Sequence, residues 1–384
     1  MINFFKNSGI ETAYLRDLSS RCDAINGINL SQGVCDNGAP ARLLEEASKS
    51  ILAGNNSYSS HFGEDNLRDA IANKANKFNA LNITRQNVAV TSGATGGFIC
   101  TCMALLEKDD EVILLEPFYP YHLITLKALG IIVKTFKYSD TIKQVIDFDE
   151  LEKLVTPRTK AILLCTPSNP TGKVLTRDEL LSFSLIANKY DLYVISDEIY
   201  EYITYNKSMP HISPAAIDAL FPRSITISGF SKTYAVTGWR VGYVIASEKI
   251  TKKIALVNDF YYICAPTPFQ AALSVAIKSI DSLYYEELKL DYMSKRDFMI
   301  EALGNAGMHS STPNGAYYLM CSCPDLPGES SLEKALYLLD KTGIAAVPGQ
   351  SFFLNPNDGN NILRFCFAKS DNLLHEAQKK LALL

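Results

Sequence analysis

Histidine is scarce in this chain, with only five scattered along 384 residues. The nine cysteines fall singly or as Cys100/Cys102 and Cys321/Cys323, a spacing of two that differs from the CxxC of a zinc clasp. No metal site is expected from such a set. Free, mostly buried thiols in a reducing cytoplasm are the plain reading of these cysteines. Long apolar runs are missing too. No stretch approaches the ~18 residues that span a bilayer, and the opening MINFFKNSGIETAYLRD holds too short an apolar stretch for a signal peptide. Positive charge is not in surplus: the formal net charge is −4 and no basic run occurs, so nothing suggests a nucleic-acid partner. Internal repeats and low-complexity tracts are absent. No GxGxxG follows a first strand with an acid about twenty residues on, which argues against a nicotinamide-dependent dehydrogenase.

What is present is an ordinary globular composition, 47% hydrophobic and 20% charged, in a chain long enough for two cores. From about residue 45 to 275, short β-branched runs alternate with helix-like stretches. The runs are Asn87–Thr91, Glu111–Leu115, Ile131–Lys134, Ala161–Cys165, Leu192–Ser196 and Ser224–Ser228. Between them Thr95–Leu106 and Arg177–Lys189 carry helical periodicity. Buried strands alternating with helices predict an α/β fold whose mainly parallel sheet is covered on both faces. A long helix near Ser279–Ala306 then leads into a smaller α+β region with strands at Ala316–Met320 and Asn361–Ala368 and a terminal helix. The expected division is an N-terminal segment, 1–45, packing with a small domain, 279–384, and a large domain over 46–278.

In open α/β sheets ligands bind beyond the carboxyl ends of the strands, and that is where the polar residues concentrate. The segment Gly229–Gly242, GFSKTYAVTGWRVG, places Lys232 among small residues just past a strand, with Arg240 eight positions on. A lysine so placed suits covalent chemistry with a carbonyl, and an arginine fork suits a phosphate. After NVAVT, Ser92-Gly93-Ala94-Thr95-Gly96-Gly97 opens a helix whose free N–H groups suit an anion. After EVILL come Pro117, Phe118, Tyr119 and Pro120, with Tyr119 available to stack on a ring and Phe118 read as core. After AILLC, Asn169 stands between Pro167 and Pro170 in a rigid turn, and after LYVIS come Asp197, Glu198 and Tyr200, with Glu198 read as structural.

These motifs, in this order, resemble the class I/II (fold-type I) aminotransferases over nearly the whole chain, from about Gly33 to Arg364. The resemblance implies a seven-stranded, mainly parallel sheet and pyridoxal 5'-phosphate as cofactor. It implies that Lys232 forms the Schiff base, and that Gly93, Ala94, Thr95, Ser231 and Arg240 hold the phosphate. Tyr119 would stack on the ring, Asp197 pair with its nitrogen, and Asn169 and Tyr200 reach its phenolic oxygen. Tyr58, in a Y-[TS]-x-x-x-G segment, would reach the partner's phosphate in a homodimer with shared sites. Gly33, Asn169 and Arg364 would bind the substrate, with Arg364 clamping its α-carboxylate. The sequence departs from the family pattern at Gly229, where many relatives carry a phosphate-binding serine, and that contact passes to the backbone or to Ser231. It departs again at Val34-Cys35-Asp36, which borders the substrate side chain. No Lys or Arg occurs between Ile254 and Ile277, where Phe260, Tyr261, Tyr262 and Pro266 stand instead. An apolar or aromatic amino donor and ping-pong transfer to a 2-oxo acid are therefore expected, unless Arg16 or Arg21 supplies a second cation. Two alternatives stay open. One is a lyase on the same scaffold, a C–S β-lyase or an enzyme like aminocyclopropane-carboxylate synthase. The other is a regulator's sensor domain, disfavoured because the Gly33 segment begins so near the start.

Overall fold

A computed structural model describes residues 13–138 and 144–384, with side chains from residue 17. The first strand, β1 (Ile28–Asn29), stays outside the main sheet. The next seven are β2 (Val88–Ser92), β3 (Glu111–Glu116), β4 (Ile132–Lys137), β5 (Thr159–Cys165), β6 (Tyr193–Asp197), β7 (Ser224–Gly229) and β8 (Val241–Ala246). They form one sheet in the order β2-β8-β7-β6-β5-β3-β4. Only β8 runs against its neighbours; the other adjacent pairs are parallel.

Two-residue alternation decides which layer each side chain joins. Along β3, Val112 and Leu114 pack with Phe98, Cys100 and Cys102 of the helix Gly93–Leu105, while Ile113 packs on the other face with Leu180 and Phe183. Those two belong to the helix Arg177–Lys189, which starts where Thr176 and Glu179 cap each other reciprocally. Both faces of the sheet are thus dry, and its strands read as unbroken apolar runs.

The remaining strands are β9 (His309–Ser310), β10 (Tyr318–Ser322), β11 (Ile344–Ala345), β12 (Val347–Pro348) and β13 (Ile362–Cys366). A four-stranded antiparallel sheet runs β12-β13-β10-β9, and β11 pairs in parallel with β1. Leu18, Cys22, Ile28 and Leu30 lie in one core with Leu319, Leu363, Phe365 and Leu374.

Three local expectations shift. Strand β8 was not among the apolar runs singled out from the sequence, although Val241–Ala246 is buried throughout. Strand β10 begins two residues later than expected, because Ala316 takes a left-handed φ of 55° that no strand tolerates. The long helix begins at Ser282 rather than Ser279. A preceding helix, Thr267–Ser279, ends there, and Asp281 caps the next by accepting from the N–H groups of Leu283 and Tyr284. Among the described residues no helix is long and apolar enough to cross a membrane.

Because β2 and β7 both run against β8, they are parallel to each other, and β2, β3, β5, β6 and β7 all end on one edge of the sheet. Cys165 lies beside Asp197, and Asp197 beside Ile227, in the register of the central strands. Loops leaving this edge therefore converge.

Candidate active site

Those loops and the C-terminal sheet enclose a cavity of about 430 Å³. Lys232, three residues past β7, enters it and donates from Nζ to the Gly33 carbonyl at 2.8 Å. Burial is the main cause that pulls its pKa below the ordinary lysine range. Arg364 and Arg240 push the same way, while Cys35 and Cys366 oppose them. A lowered pKa moves the amine toward its neutral form, which is the nucleophile and base.

Beside it lies an anion cup. Gly93, at φ 69°, turns the chain from β2 into the helix Gly93–Leu105, and no side chain caps that helix start. The guanidinium of Arg240 covers Gly93 so closely that a Cβ there would sit 2.5 Å from Nη2. A Cβ on Gly242 would lie 2.5 Å from the Ala94 nitrogen. Arg240 itself adopts a left-handed φ of 52°, stands exposed, and gives one bond, from Nη1 to the Thr237 carbonyl at 2.9 Å. Ala94, Thr95 and Ser231 line the same end of the cavity, whereas Gly229 is paired with Gly242 inside the sheet. Free helix N–H groups and an underused guanidinium could hold a phosphate-like anion.

At the centre, Asp197 closes β6. Its Oδ1 accepts from the Ile199 N–H at 3.2 Å and its Oδ2 lies 3.1 Å from His122 Nε2. His122 is buried in the first turns of the helix Pro120–Ala128 and was not singled out from the sequence. The aromatic run PFYPYH offered a signal, since its spacing sets His122 one turn beyond Tyr119. The Tyr119 ring meets His122 edge-on at 5.1 Å and stacks on Tyr121 at 5.3 Å. Tyr200 shares a hydrogen bond of 2.9 Å with Tyr318, a second lining residue that sequence reasoning missed.

Arg364, in β13, is 6% exposed. Its Nη1 donates to Asn169 Oδ1 at 2.8 Å and its Nη2 to the Ser31 carbonyl at 2.7 Å, but its buried Nε has no partner among the described residues. The guanidinium lies 4.2 Å from the Tyr318 ring centre and 5.2 Å from that of Phe352. A buried, oriented guanidinium with an unpaired N–H fits a carboxylate. Tyr58 falls elsewhere: it is 80% exposed and does not line this chain's cavity. Arg21 pairs with Asp17 at 2.8 Å in solvent, and the side chain of Arg16 lies outside the described residues.

Glu198 points away, into a second buried polar cluster. Ser196, Ser213 and Thr226 all donate to its Oε1, and His211 Nε2 lies 2.8 Å from its Oε2. Glu198, Glu201 and His211 lie close enough together to suggest a metal site. Their carboxylate oxygens already have donors, however, and Lys74 sits 2.5 Å from Glu201 Oε2, so a further cation would meet an ammonium.

The family model described as "Aminotransferase class I and II" matches residues 25–381. The chain belongs to this family. It is 31% identical to the aromatic-amino-acid aminotransferase 2 of Thermococcus litoralis over 376 residues, covering 97% of this chain and 95% of that one. It is 30% identical to the Escherichia coli methionine aminotransferase, covering 96% and 95% respectively. In structure it matches the N-succinyldiaminopimelate aminotransferase of Mycobacterium tuberculosis with a TM-score of 0.94 at 29% identity, over 100% of both chains. This class I/II aminotransferase is thus an enzyme of amino-acid transamination on the fold-type I scaffold, and these relatives are transferases rather than lyases.

Proposed function

We propose that this aminotransferase uses pyridoxal 5'-phosphate, bound in the cavity at the strand ends, to move the amino group of an apolar or aromatic amino acid to a 2-oxo acid in a ping-pong cycle. The observation that carries the reading is the convergence on one cavity of a desolvated lysine, an uncapped helix start under Arg240, and the Asn169–Arg364 pair. The cavity fits that group. Ala94, Thr95, Ser231 and Arg240 would hold the phosphate, Tyr119 would flank the ring, Asp197 would face its nitrogen, and Asn169 and Tyr200 would reach its phenolic oxygen. When bound, the cofactor supplies a carbonyl to capture an amine and an electron-withdrawing ring.

The chain's own residues do the rest. Arg364 and Asn169 hold the α-carboxylate of the donor, with the Gly33 carbonyl at the same wall. That grip orients the Cα–H bond toward Lys232, whose lowered pKa lets it take the proton and return it one position away. Asp197, held in place by His122, presents its carboxyl at the cavity floor. Tyr119, Tyr121, Val34 and Phe352 line the cavity without adding a second cation for a dicarboxylate side chain, which supports an apolar or aromatic donor.

A homodimer fits the exposed apolar residues: Tyr58 at 80%, Phe260 at 78% and Leu52 at 85% stand in solvent in the single chain. In that dimer Tyr58 would serve the partner's phosphate. Nine free cysteines, seven of them buried, suit a reducing cytoplasm. The shared core of Leu18 and Leu30 with Phe365 supports assigning residues 1–45 to the small domain, 279–384, apart from the large one, 46–278.

The test is an absorption titration of the cofactor-loaded protein with single amino acids and no acceptor. Loss of the carbonyl-form absorbance in favour of the amine form identifies transamination and ranks the donors. Release of ammonia and pyruvate without an acceptor would instead point to elimination. Failure of the protein to take up pyridoxal phosphate would defeat the reading outright.

A further inference from the structure

Glu116, the last residue of β3, is a buried acid for which transamination supplies no role. It is 2% exposed, and its Oε1 accepts the N–H of Leu354, from a segment of the C-terminal part of the chain. Two residues on, the Phe118 N–H donates to the Phe352 carbonyl at 3.0 Å. The strap 349–354 is thereby tied across to the end of β3. Its other side is held by the C-terminal part, where the Gln350 N–H donates to Ser331 Oγ at 3.0 Å. A third link, the ion pair of Lys137 with Asp358, lies at the surface beyond the strap.

The strap carries Phe352, which is fully buried and lines the cavity. Its ring and that of Tyr318 both lie against the Arg364 guanidinium, at 5.2 and 4.2 Å. Tyr318 is fixed within the C-terminal sheet, on a strand paired with that of Arg364. Phe352 stands outside the strands, on the strap that follows β12, and its carbonyl is held from the β3 side by the Phe118 N–H. A guanidinium held between two rings keeps the plane of its donors, which matters for a bidentate grip.

We propose that Glu116 is a positioning residue for substrate recognition. Through the Leu354 N–H it holds the strap against β3, so that Phe352 packs on Arg364 and fixes the guanidinium for the α-carboxylate. This rests on the reading above that Arg364 binds that carboxylate. Burial raises the Glu116 carboxyl pKa against the pull of the Leu354 N–H, Thr135 and Lys137, and the amide of Glu116→Gln keeps an oxygen to accept the Leu354 N–H.

The test measures kcat and KM of the cofactor-loaded enzyme for its best amino donor, alongside the half-reaction with a primary amine that lacks a carboxylate. Glu116→Val is expected to raise KM about tenfold with kcat changed less than about twofold, and to leave the amine reaction as it was. Glu116→Gln, which keeps the acceptor, is expected to stay within about twofold of the parent KM. Phe352→Leu is expected to reproduce the rise in KM, and it decides the matter if Glu116→Val does not fold. An unchanged KM in Phe352→Leu, or an equal loss with the amine in Glu116→Val, overturns the proposal. Arg364→Lys separates the two readings. If it leaves KM unchanged, the assignment of Arg364 itself fails. If it raises KM while Glu116→Val does not, only the role of Glu116 falls.

Discussion

Asp197 and Glu198 are neighbours in sequence, yet they serve two buried polar regions built on opposite terms. Glu198 faces a network that takes both of its carboxylate oxygens, although His211 Nδ1 has no partner among the described residues. Its oxygens are taken by three hydroxyls and His211. In the same network Glu201 accepts from Ser228, Tyr243, Asn79 and Lys74. Asp197 faces the cavity, where among the described residues the cations are incompletely served: Lys232 has one carbonyl, Arg240 one carbonyl, and Arg364 an unpaired Nε. Buried polar groups are ordinarily satisfied, so a cluster of cations with donors to spare marks a place prepared for an anionic ligand. The cluster whose carboxylates are fully served holds the turn after β6; the cavity with cationic donors to spare is the side proposed for the chemistry.

Substitutions on either side should separate these roles. Lys232→Ala should lower turnover by about ten-thousandfold while thermal unfolding stays near that of the parent. Retained multiple-turnover transamination would break the assignment of the cavity as the reactive side. On the other side, Lys74→Met leaves Glu201 as a buried charge without its cation. It should cost about 3–5 kcal/mol in urea unfolding, with kcat of the folded enzyme little changed. A catalytic loss without a stability loss would merge the two regions into one. Arg364→Lys keeps charge but loses the fork, so kcat/KM for the amino donor should fall about a hundredfold, mainly through KM. His122→Asn, which removes the ring beside Asp197, should lower kcat about tenfold and leave KM close to the parent value.

The smallest expected effect is on acid stability. Burial works to raise the pKa of Glu201, but Lys74 and His211 outweigh it and hold the carboxyl below the ordinary glutamate value of 4.5. A folded-state pKa below the unfolded one contributes stability that is present above pH 4.5 and disappears as the pH falls through the depressed value. Acid titration followed by circular dichroism should therefore show a higher unfolding midpoint in Lys74→Met than in the parent. Coincident midpoints would remove Glu201 from the account of stability.

Much of this contrast could be read from the sequence, because strand ends are local features. A β-branched run followed by Gly, Pro, Asn or Asp states both where a strand stops and which residue stands at its mouth, as at Asn169, Asp197 and Lys232. The alternation of strands and helices likewise announced the covered parallel sheet. The antiparallel strand β8 escaped notice because it follows Arg240 directly, with no intervening helix to set it apart. Tyr318 and Glu116 were legible only as apolar or motif-flanking positions, since their significance lies in what comes to meet them.

The sequence by itself therefore determined the fold class, the family, and the residue types available at each strand end, because periodicity, turn chemistry and motif spacing act over a few residues. Only the tertiary structure decided how those residues are used. Arg364 meets Asn169 across 195 residues and Lys232 meets Gly33 across 199. It also decided that Asp197 opens onto a cavity while Glu198 is sealed behind it. Those outcomes depend on burial and on which distant donors arrive, and these exist only once the two sheets have packed.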